Sequence, residues 1–409
     1  MSDQTSIKVP FHKAAITKAE EEAVLDVLRS GWLTTGKYAL EFEKKFSEVV
    51  SKGDEGTGRA PVISLAVNSN TSGMILAMEA CGVRAGTYVI TTPYTFVSTA
   101  ACARHLGADV LFADVEKDTY SIDPEKIEII LQTAASQGKT VKAIVPVHIA
   151  GNVCNMERIV ELAKKYSTQQ NKISVIEDAA HSFPSPTKLG FAGTIGDAGV
   201  FSFYVTKTIT TAEGGMVCTR NPELAHRMTV MRMHGMDRTT WDRYTSPRAS
   251  WEYDIIAPGY KFNLPDVLAA IGVCQVDRAW LFYEQRKAIV DMYNKAFADF
   301  DFIELPPDGP GNSWHLYLMR IVPEKLKITR EQFAKKMQEA GLGISVHFIP
   351  IFHFTYWREL YPDFTAENFP NAESQYNRTI SIPLYPDMTK EQAELVIETV
   401  KKIGMENHA

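Results

Sequence analysis

Between residues 70 and 219 the chain alternates short apolar runs with longer segments whose apolar residues recur at three- and four-residue intervals. The pattern predicts helices at about 70–81, 98–106, 124–136 and 155–166. It predicts strands at 87–92 (TYVITT), 109–115 (DVLFADV), 141–147 (VKAIVPV), 173–178 (ISVIED), 199–204 (GVFSFY) and 214–219 (GGMVCT). Strands rich in Val and Ile, separated by helices, argue for βαβ units and a buried, mostly parallel sheet. Such a sheet takes its ligand at the loops beyond the carboxyl ends of its strands.

Upstream, ITKAEEEAVLDVLRSGWL predicts an opening helix: Thr17 and Glu20 have the capping-box spacing, and Gly31 can end the helix. Residues 51–60 (SKGDEGTGRA) read as a polar, Gly-rich loop. Downstream, residues 265–300 read as one long helix crossing to a smaller unit. That unit has strands at 314–322, 344–349 (ISVHFI) and 379–385 (TISIPLY) and helices at 330–340 and 390–403. The expected organisation is a large domain over 1–264, a connecting helix over 265–300 and a small α/β domain over 301–409. No internal repeat, heptad array or low-complexity tail interrupts it.

Composition narrows the function classes. The 409 residues are 45% hydrophobic and 22% charged, with 43 Lys+Arg against 49 Asp+Glu and a net charge of -6, so no basic surplus answers a nucleic-acid backbone or an anionic membrane. No apolar run approaches the ~20 residues of a membrane helix, and MSDQTSIKVP lacks the apolar stretch of a secretory signal. A soluble, cytoplasmic protein is expected. Cys81, Cys102, Cys154, Cys218 and Cys274 are odd in number, widely spaced and without a C-x-x-C pair, which argues against disulfides and a zinc site; no metal is expected.

Asp178 ends an apolar strand, where an open α/β sheet binds ligands; the same residue would equally serve to cap the next loop. Lys207 follows the strand GVFSFY and precedes Gly214 and Gly215, which would let backbone pass close to a bound group. A single loop lysine is usually a solvated charge. The pair carries more weight: an Asp at one strand end and a Lys 29 residues later, after a neighbouring strand, is the arrangement pyridoxal phosphate requires. The carboxylate keeps the pyridine nitrogen protonated so that the ring accepts electrons, and the lysine forms a Schiff base and then moves the proton.

The segments EDAAHS (177–182), FSFYVTKTITTAEGGMV (201–217), HGMDR (234–238) and APGYKFNLPDVLAAIG (257–272) resemble the signatures of the DegT/DnrJ/EryC1/StrS sugar aminotransferases. The resemblance runs from GWLTTG (31–36) to SVHFIP (345–350). It implies the fold-type I architecture of pyridoxal-phosphate enzymes, aspartate-aminotransferase-like, with a large mostly parallel sheet domain and a smaller C-terminal α/β domain. It further implies that Lys207 carries the cofactor, that Asp178 pairs with the pyridinium nitrogen and that His181 lies near the ring's phenolic oxygen. Thr71 and Ser72, in NSNTSGM, fall at a helix start where free N–H groups favour a phosphate; an N-cap role explains Thr71 equally well. Ser202 matches a serine that bonds the phosphate, although Phe-Ser-Phe alone is a strand with one polar face. Phe96, in YTFVSTA, matches the ring-stacking aromatic, and without that match reads as core. Asn263, in YKFN, matches a residue that reaches the phosphate from the neighbouring subunit, implying a homodimer with shared active sites. His347, in SVHFIP, matches a position closing over the substrate side.

Two departures stand out. Asn155 occupies a position where many relatives carry an acidic residue, which alters any loop-capping role there. The stretch TTWDRYTSPRASWEYDII (239–256) carries Trp241, Arg243, Tyr244, Arg248 and Trp251. It reads either as a lid, its rings stacking on a nucleotide base and its guanidinium groups holding diphosphate, or as an interface loop; as a lid, Arg248 is its substrate-binding residue. The resemblance is strongest to members acting at C4 of nucleotide-linked 4-keto-sugars, including the 4-amino-4-deoxyarabinose branch. It implies transamination with L-glutamate as donor, for surface polysaccharide or amino-sugar biosynthesis. Amination at C3, or of a sugar without a nucleotide, is the alternative. The related C3 dehydratases replace the lysine with histidine, and Lys207 argues against them. A catalytically silent binding protein on the same fold would have no reason to keep both Asp178 and Lys207.

Overall fold

The computed structural model describes residues 8–54, 56–237 and 252–409. Helices α1 (Lys18–Ser30) and α2 (Lys37–Val50) precede β1 (Ile63–Val67), α3 (Asn70–Ala80), β2 (Tyr88–Thr91), α4 (Ser98–His105) and β3 (Asp109–Phe112). Then come α5 (Pro124–Ser136), β4 (Val141–Ile144), α6 (Met156–Tyr166), β5 (Ser174–Asp178) and the hairpin β6 (Pro186–Thr187) and β7 (Gly190–Phe191). The large sheet is completed by β8 (Ala198–Ser202) and β9 (Gly215–Thr219), followed by α7 (Pro222–Met231).

Seven strands form the sheet in the order β1-β9-β8-β5-β4-β2-β3. The β8-β5, β5-β4, β4-β2 and β2-β3 pairs are parallel, while β9 is antiparallel to both β1 and β8. Two antiparallel steps restore the direction, so β1, β8, β5, β4 and β2 all end on one edge. Asp178 closes β5 opposite Val200 of β8, and Lys207 lies on the turn beyond β8. Gly215 lets α3 start against the sheet, because a Cβ there would lie 2.7 Å from the Ser69 carbonyl carbon and 2.8 Å from the Asn70 nitrogen. This is the mostly parallel α/β sheet expected from the sequence.

The expected opening helix is α1: Thr17 and Glu20 form the reciprocal capping box and Gly31, at φ 73°, ends the helix. Asn155 keeps a capping role, since its side chain accepts the Arg158 N–H at the start of α6. The apolar spacing of α2 puts Ala39, Phe42, Phe46 and Val50 into the core, yet its N-cap, Gly36, has no side chain. The carboxylate of Asp266 supplies the missing cap, accepting N–H bonds from Gly36, Tyr38 and Ala39 at 2.8, 3.1 and 3.0 Å. Phe46 packs among Phe42, Phe183, Phe201 and Phe203, a setting in which truncation costs about 3–5 kcal/mol.

The connecting segment is two helices, α8 (Asp266–Asp277) and α9 (Ala279–Phe297), where the sequence reads as one. The break falls at Arg278 (φ -103°, ψ 4°), and the apolar positions on either side, Val276 and Ala279, conceal it in the pattern. Helix α8 packs within the large unit, with Ala269 and Val273 beside Phe42 and Phe203, whereas α9 places Ile289, Val290, Tyr293 and Phe297 in the C-terminal core. That core is built on β10 (Ile303–Glu304), β11 (Tyr317–Ile321), α10 (Arg330–Glu339), β12 (Thr379–Ile382) and α13 (Lys390–Glu406), whereas α11 (Thr355–Leu360) and α12 (Pro370–Tyr376) bury Trp357 and Ala372 in the core of the large sheet. The C-terminal sheet is antiparallel, in the order β10-β11-β12.

Two expected strands change here. Residues 344–349 form a single bridge, Ser345 to Ser381, before the chain turns His347 and Phe348 toward the carboxyl edge of the large sheet. The strand expected from residue 314 begins at Tyr317, because Trp314 takes a left-handed φ of 49° and His315 faces the same edge. No helix among the described residues is long and apolar enough to cross a membrane.

Candidate active site

A cavity of about 430 Å³ opens at the carboxyl edge of the large sheet, and the loops after β1, β2, β5 and β8 line it together with residues of the C-terminal unit. Asp178 and Lys207 both face it.

Asp178 is 4% exposed. Thr99 donates to its Oδ2 at 2.7 Å, the Ala180 N–H to its Oδ1 at 3.2 Å and the Asn70 amide to Oδ1 at 3.4 Å. Burial pushes its pKa up, while the Thr99 and Ala180 bonds and the charges of Lys207 and His148 pull the other way. Lys207 is held by its N–H to the Tyr204 carbonyl at 2.9 Å. Burial lowers its ammonium pKa from 10.5 to about 8, with the carboxylate of Asp178 opposing the shift. The two groups therefore tune each other: the lysine is made easier to deprotonate by its surroundings and is kept from falling further by the acid. Arg286, itself 2% exposed, ties the loop after Lys207 to the C-terminal unit by donating to the carbonyls of Trp314 at 3.1 Å and of Thr208 and Ser313 at 3.4 Å.

His181 is buried against His315, with ring centroids 4.4 Å apart, and stacked on Phe348 at 5.7 Å. Its Nδ1 accepts the Ala150 N–H at 3.1 Å. Burial, with the charge of Lys207, keeps both His181 and His315 well below the usual histidine range. His347 bonds Ser381 Oγ through Nδ1 at 2.8 Å, stacks on Phe11 and has its pKa lowered by burial to about 4. All three imidazoles line the cavity, although among the described residues no group of three His, Cys, Asp or Glu is placed to hold a metal ion.

At the other side lies the start of α3, where Ser69, Asn70 and Thr71 line the cavity. Ser69 is the N-cap and its Oγ accepts the Ser72 N–H at 3.1 Å. The N–H groups of Asn70 and Thr71, in the first turn, have no intrahelical acceptor and are suited to an anion such as phosphate. Ser72 departs from the expected placement: it is buried, does not line the cavity, and its hydroxyl donates to Asn68 Oδ1 within the cap. Ser202 lines the cavity, as does Phe96, which is 57% exposed and leaves an aromatic face open beside Phe348. Asn263 does not line the cavity of its own chain; its amide donates to Thr35 Oγ1 at 2.7 Å. Arg248 lies outside the described residues, as do Trp241, Arg243, Tyr244 and Trp251.

The cavity includes residues that the sequence pattern does not single out. Asn70 and Thr99 reach Asp178 across 108 and 79 residues, and His315 arrives from the C-terminal unit. Glu213 also lines it, and its place in the EGG segment, six residues after Lys207, is the available signal.

A buried carboxylate, a lysine of depressed pKa, an open aromatic face and an anion-ready helix start around one cavity fit pyridoxal phosphate. Comparison with known proteins agrees with this reading. Residues 14–401 match the model of the DegT/DnrJ/EryC1/StrS aminotransferase family. The spore coat polysaccharide biosynthesis protein SpsC of Bacillus subtilis is 39% identical over 398 residues, covering 97% of each chain. Spr1654 of Streptococcus pneumoniae, described as a sugar aminotransferase and solved in its PMP-form, superposes with a TM-score of 0.86 at 30% identity, covering 98% of this chain and 100% of that one. PseC of Helicobacter pylori, an aminotransferase involved in the biosynthesis of pseudoaminic acid, superposes with a TM-score of 0.82 at 26% identity, covering 97% of this chain and 99% of that one. The chain belongs to the DegT/DnrJ/EryC1/StrS aminotransferase family.

Proposed function

We propose that the protein transfers an amino group from L-glutamate to a nucleotide-linked keto-sugar, at C4, using pyridoxal phosphate. The observation that carries this reading is the pairing of Lys207, at a pKa of about 8, with buried Asp178 across one cavity. When bound, the cofactor supplies a carbonyl that condenses with amines and a ring that accepts the electrons released when a proton leaves the adjacent carbon. Lys207 supplies the amine and moves the proton, and Asp178 holds a proton on the ring nitrogen. The first-turn N–H groups of α3, with Thr71 and Ser202, receive the phosphate, and Phe96 covers the ring. His347 and Arg248 serve the sugar side.

The sugar substrate is supported by Spr1654 and the polysaccharide context by SpsC. The choice of C4 and of a nucleotide carrier rests on the likeness of segments 234–238 and 257–272 and on the aromatic and basic residues within 239–256. In a panel of nucleotide-linked keto-sugars supplied with L-glutamate, 2-oxoglutarate release is expected with 4-keto-sugars. Activity confined to 3-keto-sugars, or to sugars lacking a nucleotide, would overturn the substrate reading. Loss of the glutamate half-reaction itself would overturn the whole.

We further propose a homodimer in which Asn263 completes the partner's site. The surface around α1 supports it: Ile16, just before the helix, and Leu25, on it, are exposed by 47% and 39% and line a groove with Val205 of the Lys207 loop, exposed by 38%. An apolar surface of this kind, continuous with the loop that carries the catalytic lysine, suits a second copy of the chain. Asn263→Ala and Lys207→Ala chains are each expected to be inactive or nearly so. In a mixed dimer one site carries both lesions and the other neither, so subunit exchange should restore up to about half of the wild-type activity. Verified mixed dimers that recover nothing would remove Asn263 from the shared site.

A further inference from the structure

Arg286 is buried on α9, and among the described residues no carboxylate pairs with it. Burial lowers its pKa from 12.5 to about 9, so it stays charged at neutral pH. A cation withdrawn from water without a counter-ion carries a cost that an apolar side chain of similar size would avoid. The charge stands where three backbone carbonyls converge. Its Nε donates to Trp314 at 3.1 Å, its Nη1 to Thr208 at 3.4 Å and its Nη2 to Ser313 at 3.4 Å. These carbonyls flank two residues of the cavity: Thr208 follows Lys207, and Ser313 and Trp314 precede His315.

Neither stretch lies in a strand, so each depends on contacts made one by one. The far end of the Lys207 loop is closed by Thr210 and Thr211, whose N–H groups go to Gln275 Oε1 at 3.3 Å and to the Phe203 carbonyl at 3.0 Å. The Thr208 carbonyl, nearer the lysine, goes to Arg286. On the other side, Ser313 and His315 donate their N–H groups to the carbonyls of Gly151 and Ala150 at 3.2 and 3.0 Å, which fixes that stretch to the turn beyond β4. A guanidinium fork can hold carbonyls on two stretches at once, whereas an ammonium is a single point. We infer that Arg286 is a positioning residue: its fork ties the Lys207 loop to the stretch before His315, setting where the lysine nitrogen stands in the cavity and how far it is withdrawn from water. That Lys207 is the reactive amine rests on the proposed function. The titratable groups facing Lys207 across the cavity, Asp178, His181, Glu213, His315 and His347, take no hydrogen bond from Arg286, although its charge acts on His315. A test must therefore separate the fork from the charge.

Arg286→Lys keeps the charge and loses the fork, and Arg286→Met loses both. Competitive acetylation of the full chain freed of cofactor, mapped by mass spectrometry across neutral and alkaline pH, reads the Lys207 midpoint without any turnover. In both variants that midpoint should move up by at least about one pH unit from the wild-type value of about 8, toward the 10.5 of a solvated lysine. Val400→Ala, which opens a cavity in the C-terminal core far from both stretches, should lower Tm and leave the midpoint unmoved. A wild-type midpoint in Arg286→Lys, or an equal shift in Val400→Ala, overturns the inference. Hydrogen exchange in the wild-type chain needs no substitution: peptides 204–211 and 312–317 should be protected to a similar degree, as two stretches held by one cross-tie. Exchange at least about tenfold faster in 204–211 overturns it as well. If pyridoxal phosphate fails to react with Lys207 of the wild-type protein, the proposed function falls, and the acetylation midpoints still decide the role of Arg286.

Discussion

Lys207→Ala is expected to lower turnover by at least about 10³-fold, because it removes both the amine that engages the cofactor carbonyl and the base that moves the proton. Lys207→Arg should fare no better, since a guanidinium keeps the charge but is neither nucleophile nor base at neutral pH. The wild-type protein should be yellow when loaded, and borohydride should join pyridoxal phosphate irreversibly to the peptide containing Lys207. A reduced adduct mapped to Lys188 or Lys261 would refute the assignment. The pH dependence follows from the depressed pKa. The reactive species is the neutral amine, and at pH 7 a group with pKa about 8 is about one-tenth deprotonated, against roughly one part in 3,000 at the unperturbed 10.5. Uptake of the cofactor by the apoprotein should therefore rise with pH through about 8 and level off above it. Continued increase toward pH 10 would indicate that Lys207 is solvated in the free protein.

The parts of this site that the sequence makes legible are those marked by strands. The apolar run ending at Asp178 and the run before Lys207 each reveal an element and its carboxyl end, and parallel packing brings those ends together. Thr17, Glu20 and Gly31 likewise mark α1 by local chemistry alone. What the pattern conceals is nonlocal. Helix α2 has its cap in Asp266, 230 residues from Gly36, so no start signal stands beside it. Thr99, which bonds Asp178, sits in the first turn of α4 and looks like any other small helical residue. His315 and His347 lie in stretches that alternate like strands, and their turn toward the cavity depends on backbone geometry that no apolar periodicity encodes. Family resemblance supplied His347; it did not supply His315.

Asp178→Asn is expected to separate charge from shape. The side chain is nearly isosteric and lies at the end of β5; its one oxygen can take the Oδ1 place and accept the Ala180 N–H, while its NH2, in the Oδ2 place, donates to the Thr99 hydroxyl, which turns to accept. Removing a charge that burial penalises gives no reason for unfolding, and Tm should stay within about 3 °C of wild type. Turnover should fall by about 10²–10³-fold, the scale seen when one preorganised electrostatic partner of a transition state is removed, and the loss should appear in kcat. The substitution makes a second demand that a merely structural carboxylate would not meet. Asp178 is the charge that opposes the depression of the Lys207 pKa, so in the variant the midpoint for cofactor uptake must move to lower pH than the wild-type value of about 8. A lost kcat with an unmoved midpoint would detach the carboxylate from the lysine, and near-normal turnover would show that the electron-accepting ring is tuned by some other group.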